Sequence, residues 1–505
     1  MAIKNIYTNK LAFSIVLASS LFLANLAFAK TRTEINVRVF VEEYTYQASE
    51  YDSKGSCRVL ALEQAKRLLL EKWGTYLERE TEVRNFQLTK DQIITLTAGL
   101  VRAEIVDEKW DGKTYYLKAV MATDPKDVII SIEDLRLDRQ KTKELEETRK
   151  KADEALKEVE RLRKELEVAK AEKPKRSQYE EAVNRLSAID WVEKGFVSGI
   201  AGGHQEAIEA FTKAIELDPK YAEAFYNRGE AYLILGNLRQ AIRECGMAIE
   251  LDPKYPTVYR TRGIAYFKLG DYRQAIRDYD KAIELDPKYA NAYSNRGVAY
   301  GNLGDYQQQI KDCDRAIELN PKYAEAFYNR GEAYRILGNL RLAIRDYDKA
   351  IELHPKDAKP YGARGVAYGS LGDHRQAIRD YDKAIELDPK DAEIYVTRGV
   401  SYRKLGDYQQ AIRDYDQAIQ LNMKDATVYF LRGFAHYNLG NYWQAIKDYD
   451  RAIELDPQYA MAYGARGMAY LKLGNNHKGF EELKIAARLG DKGAENFLKS
   501  EGISW

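Results

Sequence analysis

Apolar and polar positions follow one pattern of 34 residues over most of the chain, and residues 290–323 show it clearly. Apolar residues recur every three or four positions in two segments of that pattern, which predicts two amphipathic helices. Gly304 ends the first segment and Asp305 opens the second, as expected for a helix end followed by a helix start. The pattern therefore predicts a helical hairpin that is repeated along the chain.

Fixed residues mark the helix ends in each copy of the pattern. Asp271 with Gln274 forms a capping box, and Gly270 before it suits the left-handed conformation that ends a helix. The Asp286-Pro287 pair ends the second helix, because Pro lacks the N–H and restricts the residue before it. These signals predict both helices of the hairpin and the two turns.

A glycine recurs at every 34th residue inside the first helix, as at Gly263 and Gly297. Glycine costs about 1 kcal/mol relative to Ala in a helix interior, so its return predicts a close contact. An alanine stands twelve residues later in most copies, as at Ala275, and we expect it to press against the glycine. Aromatic residues at repeat spacing, such as Tyr293, are predicted to fill the core.

Arginines and acids also form matched columns. An arginine precedes the glycine in eight copies and an acid follows it by 16 residues, as in Arg296 and Asp312. The first copy departs from both columns together, because it has Lys194 and Ala210. The match predicts an Arg–carboxylate pair inside each hairpin. The alternative is a column of cations that binds an anionic ligand.

The order of aromatic, Gly, Tyr, Ala and Pro columns over 34 residues resembles the tetratricopeptide repeat. The resemblance implies a mainly α fold, an α-solenoid in which helical hairpins stack into a right-handed superhelix. We predict nine repeats within residues 188–493, the first interrupted at Gly199 to Gly203, and a C-terminal capping helix over residues 494–505.

The resemblance further implies that the first helices line the inner groove of the superhelix, where a peptide or protein segment binds. Residues one turn apart on that face vary between repeats, whereas the packing columns do not. The predicted protein-binding residues are Tyr226, Glu230, Arg260, Ile264, Lys268, Ser294, Asn302, Tyr328, Glu332, Arg335, Val396, Lys404, Phe430, Phe434 and Asn438.

The N-terminal segment has the pattern of a secretory signal. Residues 1–29 combine Lys4 and Lys10 with an apolar stretch and end in Ala-Phe-Ala. An uncleaved membrane anchor is the alternative. We expect an exported protein, periplasmic or associated with the bacterial envelope, with no integral membrane span once the signal is removed.

Residues 30–130 lack the repeat and are predicted to form a small α+β module. Alternating apolar residues from Ile35 to Val41 predict a strand, and Asp111-Gly112 between two alternating runs predicts a hairpin. The module resembles the N-terminal module of the flagellar T-ring assembly protein. That resemblance implies protein partners for this part of the chain.

Residues 131–173 carry apolar residues at heptad spacing, including Ala152, Val159 and Leu162. The spacing predicts a coiled coil that would assemble a homo-oligomer, with an isolated helical spacer as the alternative. Residues 174–187, which begin with Pro174, are predicted to be a linker.

Composition narrows the function. The net charge of +1 over 505 residues excludes a basic nucleic-acid binder, so no nucleic-acid partner is expected. The five histidines lack metal-ligand spacing and no phosphate-binding loop is present, so we expect no catalytic residue, metal or cofactor. The sequence predicts a non-enzymatic scaffold or adaptor that binds envelope proteins or peptide segments. The alternative is an oligomeric coiled-coil tether in envelope or cell-wall assembly.

Overall fold

The computed structural model describes residues 37–82, 90–98, 100–129, 139–169 and 173–505. The predicted signal segment, residues 1–29, lies outside the described residues. The chain divides into an N-terminal half, Met1–Pro253, and a C-terminal half, Lys254–Trp505.

The N-terminal half begins with a three-stranded antiparallel sheet of order β1-β3-β2. Two helices follow β1 in the chain, and the longer one packs on β1 and β3. Trp73 and Leu117 are fully buried between helix and sheet. The bounds are β1 Arg38–Gln47, α1 Lys54–Glu82, α2 Lys90–Ala98, β2 Glu104–Trp110 and β3 Thr114–Thr123.

The predicted strand and hairpin are confirmed in this module. The apolar residues that predicted the strand lie on the wrong face, however, because Val39 and Val41 are exposed and the opposite face, with Tyr46, is the buried one. At the hairpin turn, Asp111 Oδ1 accepts hydrogen bonds from the backbone N–H groups of Lys113 and Thr114. Gly112 has φ +94°, a left-handed conformation that suits glycine. The turn residues thus fix the pairing of β2 with β3.

Helix α3, Arg139–Ala169, is not an isolated spacer, because the described part of its apolar stripe is covered by the same chain. Its heptad residues Ala152, Ala155, Val159 and Leu162 are buried in the same core as the sheet module. The apolar stripe is therefore covered by the protein's own helices, chiefly by α4, Lys173–Ile200.

The linker predicted for residues 174–187 is wrong, because those residues lie within α4. Pro174 lies in the first turn of this helix. The backbone N–H groups of a first turn have no carbonyl partner within the helix, so the N–H that proline lacks is not missed there. Further along α4, Tyr179, Val183 and Leu186 are buried, so the segment is anchored by its apolar face.

Eighteen helices follow α4 in the described chain: the first pairs with α4, the next sixteen form eight further hairpins, and the last lies at the C-terminal end. They are α5 His204–Leu217, α6 Ala222–Ile234, α7 Leu238–Leu251, α8 Pro256–Lys268, α9 Tyr272–Leu285, α10 Ala290–Asn302, α11 Tyr306–Leu319, α12 Ala324–Ile336, α13 Leu340–Leu353, α14 Ala358–Ser370, α15 His374–Leu387, α16 Ala392–Lys404, α17 Tyr408–Gln420, α18 Ala426–Asn438, α19 Tyr442–Leu455, α20 Ala460–Lys472, α21 Asn476–Arg488 and α22 Lys492–Ser500.

The hairpin ends follow the sequence signals. Asp271 accepts a hydrogen bond from the backbone N–H of Gln274, and Asp305 does the same from Gln308. Gly270 has φ +84°, the predicted left-handed conformation. The segment from Gly199 to Gly203 does not interrupt the first hairpin, because it forms the ordinary turn, with Gly202 at φ +84°.

Arg–carboxylate pairs are present in the eight hairpins that carry the arginine column. In each, the Nε and Nη2 atoms donate to the acid 16 residues later at 2.5 to 3.1 Å. The sequence prediction is thus confirmed. The alternative of a free cationic column is wrong, since the acids occupy these guanidinium groups.

A second acid, which the sequence analysis missed, joins consecutive repeats. Nη1 of six of the eight arginines also donates to the acid 16 residues before it, at 2.5 to 2.7 Å, and the acid belongs to the preceding repeat. Arg296, Arg330, Arg364, Arg398, Arg432 and Arg466 make this contact. We call this set of shared contacts the arginine ladder.

The partner of the glycine column differs from the prediction. A Cβ at Gly263 would lie 2.6 Å from the Tyr279 ring, and one at Gly331 would lie 2.7 Å from Tyr347. At six of the nine glycines, the aromatic ring of the residue 16 positions later fills the space that glycine leaves. At Gly229, Gly297 and Gly467 that residue is not aromatic, and the backbone oxygen 12 positions later lies 2.9 to 3.4 Å from the Cβ position.

Candidate protein-binding site

The predicted binding residues occupy the fifth, ninth, twelfth and thirteenth positions of each repeat's first helix. Positions separated by four residues lie on the same side of a helix. We call this side, with the second-helix tyrosines that it contacts, the first-helix face. Its exposure differs from repeat to repeat.

Two of the predicted residues are buried and do not offer a contact surface. Tyr226 is 1% exposed, and its hydroxyl lies 3.5 Å from the Glu230 carboxylate. Ser294 is 0% exposed and accepts a hydrogen bond at 3.1 Å from Nδ2 of Asn329 in the following repeat. Both predictions are corrected, because a neighbouring polar group uses each hydroxyl inside the protein.

The residues nearest the end of the first helix are the most open. Lys268, Asn302, Lys404 and Asn438 are exposed. The two asparagines bond back to their own helices, Asn302 to the carbonyl of Val298, for example, at 2.9 Å. The lysines therefore offer the more adaptable contacts at this edge of the face.

Apolar and aromatic residues line other parts of the face. Ile264 packs beside Tyr279 in one cluster, and Val396 belongs to another with Tyr415. Arg260 lies 5.9 Å from the centroid of the Tyr289 ring. These side chains are half-buried, so each combines a packing role with some accessible surface.

The C-terminal repeats add two phenylalanines to the face. The Phe430 ring lies 5.8 Å from the Tyr449 ring and 5.1 Å from the Tyr459 ring, measured between centroids. Phe434 faces the Arg403 guanidinium, whose Cζ is 5.4 Å from the ring centroid. Both rings are half-buried. Each ring is therefore held in place by its neighbours and keeps an accessible side for apolar contact with a ligand.

A carboxylate is already bound inside one repeat, the one that begins at Ala324. Nε and Nη2 of Arg335 donate to the two oxygens of Glu332 at 3.2 and 2.8 Å. The hydroxyl of Tyr347 donates to Oε1 of Glu332 at 2.5 Å, and the Tyr328 ring lies beside that of Tyr347. The structure thus brings together Tyr328, Glu332 and Arg335, three of the predicted residues.

The ionisation of this cluster follows from burial and from the Glu332 charge. Burial raises the pKa of Tyr347, and the nearby Glu332 carboxylate raises it further. Burial is also the main reason that the pKa of Tyr328 rises to about 12. Both tyrosines are therefore neutral near pH 7, and Tyr347 can donate its proton to the carboxylate.

Sequence reasoning missed Arg403, Tyr347 and Tyr415. The signal was present, since Arg403 stands at the repeat position of Arg335, and Tyr415 at that of Tyr347. Both tyrosines belong to second helices, and the expectation covered first helices only. Burial raises the pKa of Tyr415 to about 12, although the positive charge of Arg403 opposes the shift.

The described residues show neither a metal-binding cluster nor a membrane-spanning helix. No group of three or more His, Cys, Asp or Glu among them is placed to hold a metal ion. In the same part of the chain, no helix has the length and apolar character needed to cross a membrane.

Sequence profiles of known families match the repeats. Profiles described as TPR repeat and tetratricopeptide repeat together match residues 201–255 and 263–480. The matches begin at residue 201, so the likeness of residues 30–130 to the T-ring module stays a prediction. No curated protein matches the chain.

Three solved structures resemble parts of this chain. MamA is 28% identical with a TM-score of 0.30, covering 32% of this chain and 95% of its own. YrrB, described as a TPR protein with an unusual peptide-binding site, is 25% identical with a TM-score of 0.35, covering 38% and 99%. A tetratricopeptide repeat protein from Parabacteroides merdae is 23% identical with a TM-score of 0.41, covering 49% and 98%.

Proposed function

Since the chain belongs to the tetratricopeptide repeat family, we propose that it is a non-enzymatic scaffold of the bacterial cell envelope. Its first-helix face holds a peptide or an extended segment of another envelope protein. Tetratricopeptide repeats are interaction modules, so a protein partner is the natural ligand class. The N-terminal α+β module docks elsewhere on the same assembly.

One observation supports the first-helix face most strongly. The arginine ladder and the glycine column keep the same residues from repeat to repeat, whereas the fifth and ninth positions change, as from Arg260 to Tyr328 to Phe430. In such a scaffold the packing residues are constant and the surface residues vary, so each repeat can contact a different part of one extended partner. Mixed aromatic, cationic and uncharged groups suit a polypeptide better than a nucleic acid or a single small ligand.

The proposal of an oligomeric tether has less support. It relied on residues 131–173 as an assembly segment, and the described heptad residues of α3 are buried against the protein's own core. Envelope localisation is supported by the signal pattern of residues 1–29.

Photocrosslinking in living cells tests the proposed binding face without destabilising substitutions. A photoreactive amino acid replaces Lys268 or Lys404, two exposed residues of the first-helix face. Matched controls carry it at Lys281 and Arg413, which lie on second helices. We expect the face positions to crosslink one segment of an envelope protein that the control positions do not. Equal crosslinking from both sets would contradict the proposal.

A further inference from the structure

Arg403 and Tyr415 repeat the arrangement of Arg335 and Tyr347 in the repeat that begins at Ala392. In the repeat that begins at Ala324, both groups donate to the carboxylate of Glu332. The residue in the place of Glu332 is Val400, which has no acceptor. The later repeat thus retains both donors and lacks the carboxylate.

The two donors are unsatisfied as a result. Among the described residues, the buried Nε of Arg403 has no hydrogen-bond partner, and the buried hydroxyl of Tyr415, which is near enough to the Arg403 guanidinium to accept from it, has no acceptor for its own proton. A buried donor left unpaired costs about 1–3 kcal/mol, and more when it is charged. That cost is recovered when a ligand supplies the missing acceptor.

The surroundings favour a carboxylate next to an apolar group. The Phe434 ring covers one side of the Arg403 guanidinium, with 5.4 Å from Cζ to the ring centroid. Val396 and Val400 pack in the cluster that contains Tyr415. Arginine with a neighbouring hydroxyl donor recognises a planar carboxylate through several directed hydrogen bonds.

We propose that Arg403 and Tyr415 form a binding site for an Asp or Glu side chain of the partner segment. The site rests on the proposed function, because the acid arrives as part of a polypeptide on the first-helix face. Its carboxylate takes the place that Glu332 occupies two repeats earlier, accepting from the guanidinium and from the tyrosine hydroxyl. An aliphatic residue of the same segment contacts Val396 and Phe434.

The cluster of Glu332, Arg335 and Tyr347 suggests the variant that tests the site. Val400→Glu restores the acid found at Glu332, so the site should be occupied by the protein's own side chain. Arg403→Gln removes the cation without adding a carboxylate that competes with the ligand. It also keeps the proposal testable if Val400→Glu fails to fold. Arg413→Gln is the matched control, because Arg413 is an exposed cation on a second helix of the same repeat.

The full chain and its variants are tested against short peptides attached to beads through their C-termini, so that Asp and Glu carry the only carboxylates. We expect the wild type and Arg413→Gln to select peptides with Asp or Glu beside an aliphatic residue. Val400→Glu and Arg403→Gln should bind those peptides about tenfold more weakly, the loss of one charge-assisted pair.

The outcomes separate the two proposals. Selection of peptides without an acidic preference, or an acidic preference that Arg403→Gln leaves unchanged, overturns the carboxylate site and leaves the binding face intact. A parallel library carries free C-termini. If the protein binds those peptides whether or not they contain Asp or Glu, the site recognises a terminal carboxylate and the side-chain assignment is wrong. Failure of the wild type to select any peptide overturns both proposals.

Discussion

Arg330 shows how single residues hold consecutive repeats together. Its Nε and Nη2 bond to Asp346 in the same hairpin at 2.7 Å, and Nη1 bonds to Asp314 of the preceding repeat at 2.5 Å. Burial alone would lower the pKa of this guanidinium, but the two acids outweigh burial and raise it. The arginine therefore stays charged and joins three helices.

Replacing this arginine should destabilise the stack. Arg330→Ala leaves Asp346, whose side chain is 2% exposed, as a buried carboxylate without its cation, which costs about 3 kcal/mol. Urea denaturation followed by circular dichroism should show a lower midpoint. The control is Arg315→Ala, which removes an exposed ion pair with Glu318 and should change the midpoint little. Equal effects of the two substitutions would contradict the role of the ladder.

A buried charge cluster gives the N-terminal half a defined response to acid. Lys66 of α1 lies 3.0 Å from Asp190 and 2.5 Å from Glu193, both on α4. Burial alone would raise the pKa of Asp190, but Lys66 and Lys194 outweigh it and lower the pKa from 3.8 to about 2. The ionised Asp190 thus stabilises the fold above the unfolded-state pKa, and this stabilisation is lost as the pH falls toward 2.

The lowered Asp190 pKa predicts a pH-dependent difference between wild type and Asp190→Asn. Near pH 6 the wild type should be more stable by about 2 kcal/mol, and the difference should shrink between pH 4 and pH 2. Glu193 has a pKa raised chiefly by burial and works in the opposite direction; the Asp190 charge adds to that rise, so the Glu193 pKa is raised less in the variant. Urea denaturation monitored by tryptophan fluorescence measures the difference. A difference that is constant over this range would contradict the assignment.

At the residue level, sequence spacing predicts contacts within a repeat better than contacts between repeats. Arg296 and Asp312 were predictable, because both belong to one hairpin. The bond from Arg296 to Asp280 and the burial of Ser294 by Asn329 depend on how consecutive repeats stack. The spacing of residues along the sequence does not predict how consecutive repeats stack.

At the level of elements, the tyrosines of the second helices set the distance between the two helices of a hairpin. A Cβ at Gly263 would meet the Tyr279 ring at 2.6 Å, whereas a Cβ at Gly246 would have no atom within 4 Å. Both glycines lie inside helices, α8 and α7, so they share the same loss of helix propensity. Only the first has a packing role.

These two glycines predict opposite effects of the same substitution. Gly246→Ala should stabilise the protein by about 1 kcal/mol, because Ala favours the helix and nothing is displaced. Gly263→Ala should destabilise it by about 1–3 kcal/mol, because the ring must shift. Thermal denaturation of the two variants measures both effects. Stabilisation by Gly263→Ala would show that Tyr279 moves away at little cost.

The heptad pattern of α3 shows why an element can be predicted and its partner missed. A stripe of apolar residues requires something to cover it, and the same stripe suits a second chain or the protein's own core. Val159 and Leu162 are buried within the chain, so the described part of the stripe is covered by the protein's own core. The helix itself was predictable from its local sequence, whereas its partner depends on residues far away in the chain.

At the scale of the whole molecule, the intramolecular burial of α3 predicts that the chain does not assemble through residues 131–173. Light scattering of the mature chain should give the mass of a monomer. Leu162→Glu should lower stability, since it charges a core position, without changing the mass of the folded fraction. A larger mass that this variant abolishes would restore the tether as the leading function.

Export is the other property of the whole chain that can be measured simply. The signal pattern of residues 1–29 predicts cleavage after Ala29. N-terminal sequencing of protein from cell envelopes should therefore begin at Lys30. A chain that retains residues 1–29 would favour the uncleaved anchor.

The central claim is that the first-helix face holds a partner segment, and direct binding tests it best. The segment identified by crosslinking is synthesised with a fluorescent label, and its affinity for the full chain is measured by fluorescence anisotropy. Tyr328→Ala and Lys404→Ala should weaken binding, whereas Lys281→Ala and Arg413→Ala on second helices should not. Equal affinity for all four variants and the wild type would show that the segment binds elsewhere and would contradict the account.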